Sequence, residues 1–262
     1  MTHCFSRRSF LKGSAAAAAA LTSPLLPADA AFSETENGLF SPVSALCQTQ
    51  YGPVKGREGE NGQLCWYGIP YGAAPTGESR WTAPQEPARW LTVRDCTSPA
   101  PAAYQYTTFP LGTEDCLTLD VYSSAEAKKR PVLVYLHGSA ATGSSLELPG
   151  SELVRDAGCV FVALNYRLGL FGWNCLPALT ADPDATGNFA LLDIARALDW
   201  VRDNIASFGG DPQNITVLGF AAGGRDGMAL LASPLFVGRF QKAISISGGM
   251  TCADENTSAE TL

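Results

Sequence analysis

A turn framed by glycines, from Gly219 to Gly223, is the part of the sequence whose residue types and spacing come nearest to a catalytic motif. It follows an apolar run and precedes a helical pattern, with Ala221 at its centre. In the related G-x-S-x-G turn, a serine occupies a tight strand-to-helix bend, and the N–H of the next residue, here Ala222, points toward the developing oxyanion. Ala221 has no atom that can attack a carbonyl carbon. The turn therefore predicts the frame of an acyl-transfer site without its nucleophile.

Alternating strands and helices must position this turn. Continuous apolar runs predict strands that are covered on both faces, and apolar residues at helical spacing predict amphipathic helices. The first helix places its polar residues, among them Asp193, largely on the side away from the sheet, and it ends sharply at Gly209. This order indicates a mostly parallel sheet flanked by helices, with right-handed crossovers. The predicted elements are strands 131–136, 159–164, 215–218 and 243–247 and helices 188–207 and 222–232.

The alternating pattern begins beyond residue 114, and the chain before it has a different composition. Residues 32–63 are rich in Gly, Ser and Thr and predict small antiparallel strands joined by turns. Residues 68–110 are crowded with turn formers, and we expect an ordered surface loop there, with Trp66, Trp81 and Trp90 as large anchors. Residues 117–122 alternate in the manner of a half-buried strand.

The first thirty residues predict an export signal. Arg7 and Arg8, followed by Phe-Leu-Lys and an alanine-rich stretch, resemble the twin-arginine signal. The alternative, an alanine-rich core helix, is disfavoured because Pro24 and Pro27 would interrupt it. We therefore expect residues 1–30 to be a signal peptide that is cleaved before Ala31, and residues 31–262 to be periplasmic or secreted.

Composition and charge exclude several classes of protein. A hydrophobic fraction of 46% argues against a disordered chain. The 18 Lys and Arg residues against 25 Asp and Glu residues give a net charge of −7 without a basic run, so no nucleic-acid partner is expected. The mature sequence has no run of eighteen apolar residues, which predicts no membrane span. It also has no CxxC pair or Cys/His cluster, so we expect no metal and no cofactor.

Four further stretches connect the turn to a known family. In chain order they are Gly68–Tyr71 (GIPY), Glu114–Val121 (EDCLTLDV), Asn165–Gly169 (NYRLG) and Phe208–Pro212 (FGGDP). From about Val54 to Cys252 the chain resembles the N-terminal half of a type-B carboxylesterase, the family that includes the cholinesterases. This resemblance implies an α/β-hydrolase fold and the hydrolysis of small-molecule carboxylic esters through a serine, an acidic residue and a histidine.

The resemblance also implies that the family's catalytic residues are incomplete here. The serine position is Ala221, in the elbow between Gly219 and Gly223. The acid and the histidine belong to a C-terminal half that would begin near Leu262, so we expect a C-terminally truncated fold. The family reaction is then expected to be absent from this chain alone.

The family's oxyanion hole falls on the backbone of Ser139, Ala140 and Ala222. Ser139 stands where the family has a glycine, which puts the geometry of the N–H donors in question. His137 precedes this loop and is the only histidine outside the predicted signal peptide. We interpret it as structural, since a base at this position would find no hydroxyl at residue 221 to deprotonate.

The cysteines leave two alternatives open. The family often bridges the cysteine of its Glu-Asp-Cys segment, here Cys116, to an upstream cysteine, but this chain has Ala103 at that position. One alternative is a Cys96–Cys116 disulfide, and the other is that both are buried thiols. Cys159 opens a core strand and is expected to act as a small hydrophobic residue.

If the fold ends near residue 262, strand 243–247 becomes an exposed apolar edge. Three explanations then remain. The chain is part of a split esterase, a half completed by a complementing C-terminal chain, or a non-catalytic remnant, which is either a cholinesterase-like binding module or a decaying gene fragment. A small-molecule ester is the expected ligand only where a complete site is assembled.

Overall fold

The apolar runs between residues 130 and 246 form neighbouring strands of one sheet. The computed structural model describes residues 43–59, 62–148, 150–174, 176 and 187–249. These residues all belong to the larger of two units, Ser41–Leu262. The predicted signal peptide, with Arg7 and Arg8, lies outside the described residues.

The described strands and helices are numbered separately in chain order. The strands are β1 (Leu46–Gln48), β2 (Pro53–Lys55), β3 (Arg57–Glu58), β4 (Gln63–Pro70), β5 (Arg94–Asp95), β6 (Gln105–Tyr106), β7 (Pro110–Leu111), β8 (Thr118–Ser124), β9 (Arg130–Leu136), β10 (Val160–Leu164), β11 (Gly210–Phe220) and β12 (Lys242–Ile246). The α-helices are α1 (Gly150–Ala157), α2 (Gly169–Gly172), α3 (Phe189–Asn204) and α4 (Ala222–Ala232). Short 3-10 helices lie at Gly77–Ser79, Ile205–Phe208 and Pro234–Phe236.

The main sheet has seven described strands in the order β12-β11-β9-β10-β8-β4-β3. Strands β12, β11, β9 and β10 run parallel, as predicted, because helices connect most of them. The remaining pairings, β10 with β8, β8 with β4 and β4 with β3, are antiparallel. The sheet is therefore mixed, and its parallel half is the half that carries the glycine-framed turn.

Strand β4 was not predicted. Gly68 and Pro70, near its end, are turn formers, and their local preference predicts a surface loop from residue 68. The pairing with β8 shifts register between Trp66 and Ile69, where Gly68 takes a φ of +65° and donates its N–H to Asp120 Oδ1 at 2.8 Å. This irregularity allows a strand to contain both residues.

Strand β8 is buried along almost its whole length, so the expectation of a half-buried strand was wrong. Asp120 is fully buried and accepts hydrogen bonds from the Ser145 hydroxyl at 2.6 Å and from the Gly68 N–H. Burial raises the pKa of Asp120 to about 6, although these two hydrogen bonds favour the ionised carboxylate and lower the pKa. A polar residue in an alternating strand usually indicates a solvent face, but the partners of Asp120 come from distant parts of the chain and bury it.

Helix α3 follows the prediction in extent and continues as a 3-10 helix to Phe208. It ends at Gly209, whose φ of +82° is the left-handed conformation that glycine adopts at helix ends. Asp193 is the exception to the predicted polar face, because it is fully buried. Its carboxylate accepts hydrogen bonds from both Arg167 Nη2 at 2.6 Å and Arg167 Nε at 2.8 Å.

The described cysteines are free, buried thiols. Cys96 and Cys116 are both about 1% exposed and form no disulfide with each other, so the bridge that the sequence left open is not present. Burial raises the pKa of the Cys96 thiol to about 11, which keeps it protonated at neutral pH.

Candidate acyl-transfer site

The glycine-framed turn lies where three parallel strands end. Ala221 follows β11 directly, and the turns after β9 and β12 flank it on either side. The Ala221 N–H donates to the Ile246 carbonyl at 2.8 Å, which ties the turn to the end of β12. The carboxyl ends of parallel strands are the usual place for a ligand site in such sheets.

The backbone of Ala221 has the strained geometry expected of a nucleophile elbow. Its φ is +47° and its ψ is −109°, a conformation that L-residues with a side chain rarely adopt. Such a conformation costs of the order of 1–3 kcal/mol and is retained only where the surrounding structure imposes it. The bend is therefore present in full, while its apex carries a methyl group.

Gly219 and Gly223 are required by packing. A Cβ atom on Gly219 would collide with the Gly223 carbonyl, and one on Gly223 would collide with the carbonyl of Leu136 at the end of β9. Both obstacles are backbone atoms, which cannot rotate away as a side chain could. The spacing of the two glycines thus reflects how closely helix α4 crosses the strand ends.

The loop after β9 carries the residues expected to form the oxyanion hole. The Ser139 hydroxyl accepts hydrogen bonds from the backbone N–H groups of Ala141 and Thr142, at 3.2 and 3.1 Å. The Ala140 carbonyl accepts from the Gly169 N–H at 2.8 Å. These contacts fold the loop back on itself and against the start of α2.

The loop meets the elbow through a main-chain hydrogen bond. The Ala222 N–H donates to the Gly138 carbonyl oxygen at 3.2 Å. Ala222 is the first residue of α4, so this N–H has no partner within the helix. The N–H expected to bind an acyl oxygen is therefore bonded to the protein's own carbonyl.

His137 is held in the core. Its ring stacks on Tyr166 with the centroids 4.4 Å apart and the planes 2° from parallel, and it is 1% exposed. Its Nδ1 lies 3.4 Å from the Tyr166 hydroxyl oxygen, and a Cβ added at Gly143 would lie 2.7 Å from the same nitrogen. Burial lowers the pKa of His137 to about 4, so the ring is neutral at neutral pH.

Two residues that sequence reasoning missed support this loop. The Glu147 carboxylate accepts the Gly138 N–H at 3.0 Å, and the Gln105 side-chain amide exchanges hydrogen bonds with the backbone of Gly143 at 2.9 and 3.0 Å. Glu147 lies in an irregular segment and Gln105 in the two-residue strand β6, so neither belongs to a periodic pattern and the sequence held no signal for them. Within the described ranges no three His, Cys, Asp or Glu residues are grouped as a metal site would require.

Comparison with known proteins identifies the family. The model of the carboxylesterase family matches residues 43–260. The chain belongs to the carboxylesterase family. The model of the twin-arginine translocation signal sequence matches residues 4–24, which supports export of this carboxylesterase-family chain by that route.

Several relatives cover most of this carboxylesterase-family chain. It is 43% identical over 228 residues to para-nitrobenzyl esterase of Bacillus subtilis, which covers 82% of this chain and 46% of the relative. It is 37% identical over 215 residues to fumonisin B1 esterase of Sphingopyxis macrogoltabida, covering 77% and 39%. The chain thus spans less than half the length of these relatives.

Solved structures agree on the fold. A thermophilic para-nitrobenzyl esterase superposes with a TM-score of 0.76 at 41% identity, covering 82% of this chain and 47% of that one. A Geobacillus stearothermophilus carboxylesterase gives a TM-score of 0.72 at 38% identity, covering 76% of this chain and 42% of that one. The predicted α/β-hydrolase fold is confirmed. Among the described residues no helix has both the length and the apolar character to cross a bilayer.

Proposed function

We propose that this chain forms the N-terminal part of an exported carboxylesterase fold that holds a small-molecule acyl ester without covalent turnover. The observation that carries the proposal is the methyl group of Ala221 at the apex of an intact, strained elbow. Ester hydrolysis in this family passes through attack by a serine oxygen on the acyl carbon. A methyl group has no lone pair to form that bond.

The described residues also offer no base for the proton transfer that the reaction needs. A serine nucleophile needs a base within hydrogen-bond reach to take its proton. His137, the one histidine in the described ranges, is buried and packed between Tyr166 and Gly143. Its ring is therefore enclosed in the core of the fold.

Hydrolysis of p-nitrophenyl butyrate by the mature chain tests the proposal. We expect the wild-type chain to match buffer and to remain unlabelled by a fluorophosphonate, which reacts with activated serines. Ala221→Ser alone should also fail to restore turnover, because the hydroxyl gains no base. Wild-type turnover that the fluorophosphonate abolishes would contradict the proposal, and activity in Ala221→Ser would show that a base is present after all.

A non-catalytic binding role is favoured by the strain that the elbow retains. An alanine at φ +47° costs of the order of 1–3 kcal/mol, and the bend brings no chemical benefit without a nucleophile. Titration of ¹⁵N-labelled chain with N-phenylbutyramide, an acyl compound that resists hydrolysis, tests this role. Saturable shifts confined to the amides of residues 138–140 and 221–223 would support it, and unchanged spectra at millimolar ligand would contradict it.

A complementing polypeptide is the second partner in the proposal. Strand β12 forms one edge of the described sheet, and Ile244 and Ile246 are 48% and 46% exposed. Exposed apolar edge strands tend to pair with another chain. We expect the part of the Bacillus subtilis relative that this chain does not cover to form a one-to-one complex with it in analytical ultracentrifugation. Two unmixed species at micromolar concentration would count against this partner.

The destination of the chain is proposed to be the periplasm or the medium. Replacing Arg7 and Arg8 together by lysine keeps the charge of the signal but removes the arginine pair. Cell fractionation should then find the precursor retained in the cytoplasm, while a change of both Lys128 and Lys129 to arginine should leave export intact. Equal export of both variants would refute the twin-arginine route.

A further inference from the structure

The backbone of Gly138 is held from three directions. Its N–H donates to Glu147, with 3.0 Å to Oε1 and 3.3 Å to Oε2, and its carbonyl oxygen accepts the Ala222 N–H at 3.2 Å. The Phe220 ring covers the remaining side, since a Cβ added at Gly138 would lie 2.8 Å from Phe220 Cδ1. The direction of the Gly138 carbonyl is therefore set by contacts with residues that are not its neighbours in the chain.

Glu147 is itself fixed in place. The Tyr135 hydroxyl, near the end of β9, donates to Glu147 Oε1 at 2.9 Å. This bond connects the carboxylate to a strand of the central sheet, so the Gly138 N–H is anchored to the rigid part of the fold. A hydrogen bond from a backbone N–H to a carboxylate is charge-assisted and stronger than one between neutral groups.

We propose that Glu147 is the positioning residue of the oxyanion loop, acting through the backbone of Gly138 to hold its carbonyl on the Ala222 N–H. The Gly138 N–H belongs to the planar His137–Gly138 peptide unit and its carbonyl to the next unit, so fixing the first unit also places the Gly138 Cα from which that carbonyl extends. Glu147 does not touch Ala222, and its influence there passes through Gly138. The inference rests on the proposed role of this loop as the acyl-binding site, where a bound acyl oxygen would displace the Gly138 carbonyl from the Ala222 N–H.

Amide hydrogen exchange in the free, mature chain tests the inference without any ligand. Glu147→Leu removes both acceptor oxygens, and we expect exchange of the Ala222 amide to become about tenfold faster or more. Glu147→Gln keeps one acceptor oxygen for the Gly138 N–H and should restore exchange at Ala222 to within about threefold of wild type. Glu152→Leu and Glu152→Gln, at an exposed position in the first turn of α1, are the matched controls and should change nothing.

The outcomes distinguish a local positioning role of Glu147 from a general contribution to the stability of the fold. Unchanged exchange at Ala222 in Glu147→Leu would overturn the inference, as would an equal acceleration of amides along β11, which would indicate global loosening. If Glu147→Leu does not fold, Tyr135→Phe removes only the hydroxyl that orients the carboxylate and should accelerate the Ala222 amide by about two- to fivefold. No acceleration in that variant would also overturn it. Failure of the chain to bind acyl compounds would instead count against the proposed function.

Discussion

Asp226 makes the stability of this fold depend on pH in a direction opposite to that of most carboxylates. It lies in α4, is 2% exposed, and its Oδ2 has no hydrogen-bond partner. The nearest cation, Arg225 Nε, is 3.9 Å from Oδ1. Burial raises the pKa of Asp226 to about 7, and the attraction to Arg225 only partly opposes this shift.

The sign of the effect follows from proton binding. In the unfolded chain an aspartate has a pKa of about 3.9, so between pH 4 and 7 the folded state binds more protons than the unfolded state. The free energy of unfolding therefore falls as the pH rises through this window and levels off above pH 7. Each pH unit over which the folded state holds one extra proton is worth about 1.4 kcal/mol. The free energy of unfolding therefore falls by roughly 2.5 kcal/mol between pH 5 and pH 8, mostly below pH 7.

Other groups contribute to the wild-type profile. Asp120, with its pKa raised to about 6, lowers stability in the same sense as the pH rises. His137, with its pKa lowered to about 4, has the opposite effect, because the unfolded chain binds the extra proton between about pH 4 and 6.5. The slope of the wild-type curve alone is thus a mixture, and the contribution of Asp226 must be taken from a comparison.

Asp226→Asn supplies that comparison. The amide cannot ionise, and any constant cost of burying it cancels between two pH values. We expect the difference in unfolding free energy between variant and wild type, from urea denaturation, to favour the variant by about 2.5 kcal/mol more at pH 8 than at pH 5. For a chain of this size the melting temperature should change by about 5–10 °C relative to wild type. Asp115→Asn, at an exposed position, is the control. Parallel pH profiles for wild type and Asp226→Asn would refute the reasoning.

Two further pairs of substitutions test the packing around the site. Gly223→Ala sets a Cβ against the Leu136 carbonyl and should lower the free energy of unfolding by about 1–3 kcal/mol. Gly227→Ala, in the same helix with no atom within 4 Å of the added Cβ, should raise it by about 0.5–1 kcal/mol, and a loss of equal size would contradict the steric argument. Asp193→Ala leaves Arg167 buried without its partner and should cost about 3–5 kcal/mol in urea denaturation. Asp203→Ala, which breaks an exposed pair, should cost less than about 1 kcal/mol, so similar losses at the two positions would rule out burial as the cause.

The elements nearest the elbow were predictable because their signals are local. Strands β9, β10 and β12 and helices α3 and α4 agree with the predicted segments to within a few residues. Strand β4 was missed because its glycine and proline are turn formers by local preference, and a register shift opposite β8 accommodates them. That accommodation depends on a strand about fifty residues away in the chain.

The candidate site likewise has one part that the sequence locates and one part that it does not. The elbow, with Ala221 between two glycines, could be located from five consecutive residues, although the steric demand at Gly223 comes from the Leu136 carbonyl at the end of β9. Glu147 could not be located, because its partners Gly138 and Tyr135 are set by the folding of a loop without periodicity.

The sequence by itself determined the family, the position of the bend and the alanine at its apex, since each depends on residue types at fixed local spacing. Tertiary structure alone decided which polar groups became buried and with whom. Asp193 and Asp226 have the same side chain on consecutive helices of the chain, yet one is paired with an arginine in the core and the other is left with an unpartnered oxygen. The physical reason is that desolvation and hydrogen bonding depend on the surroundings of a group in space, which are assembled from segments far apart in the chain.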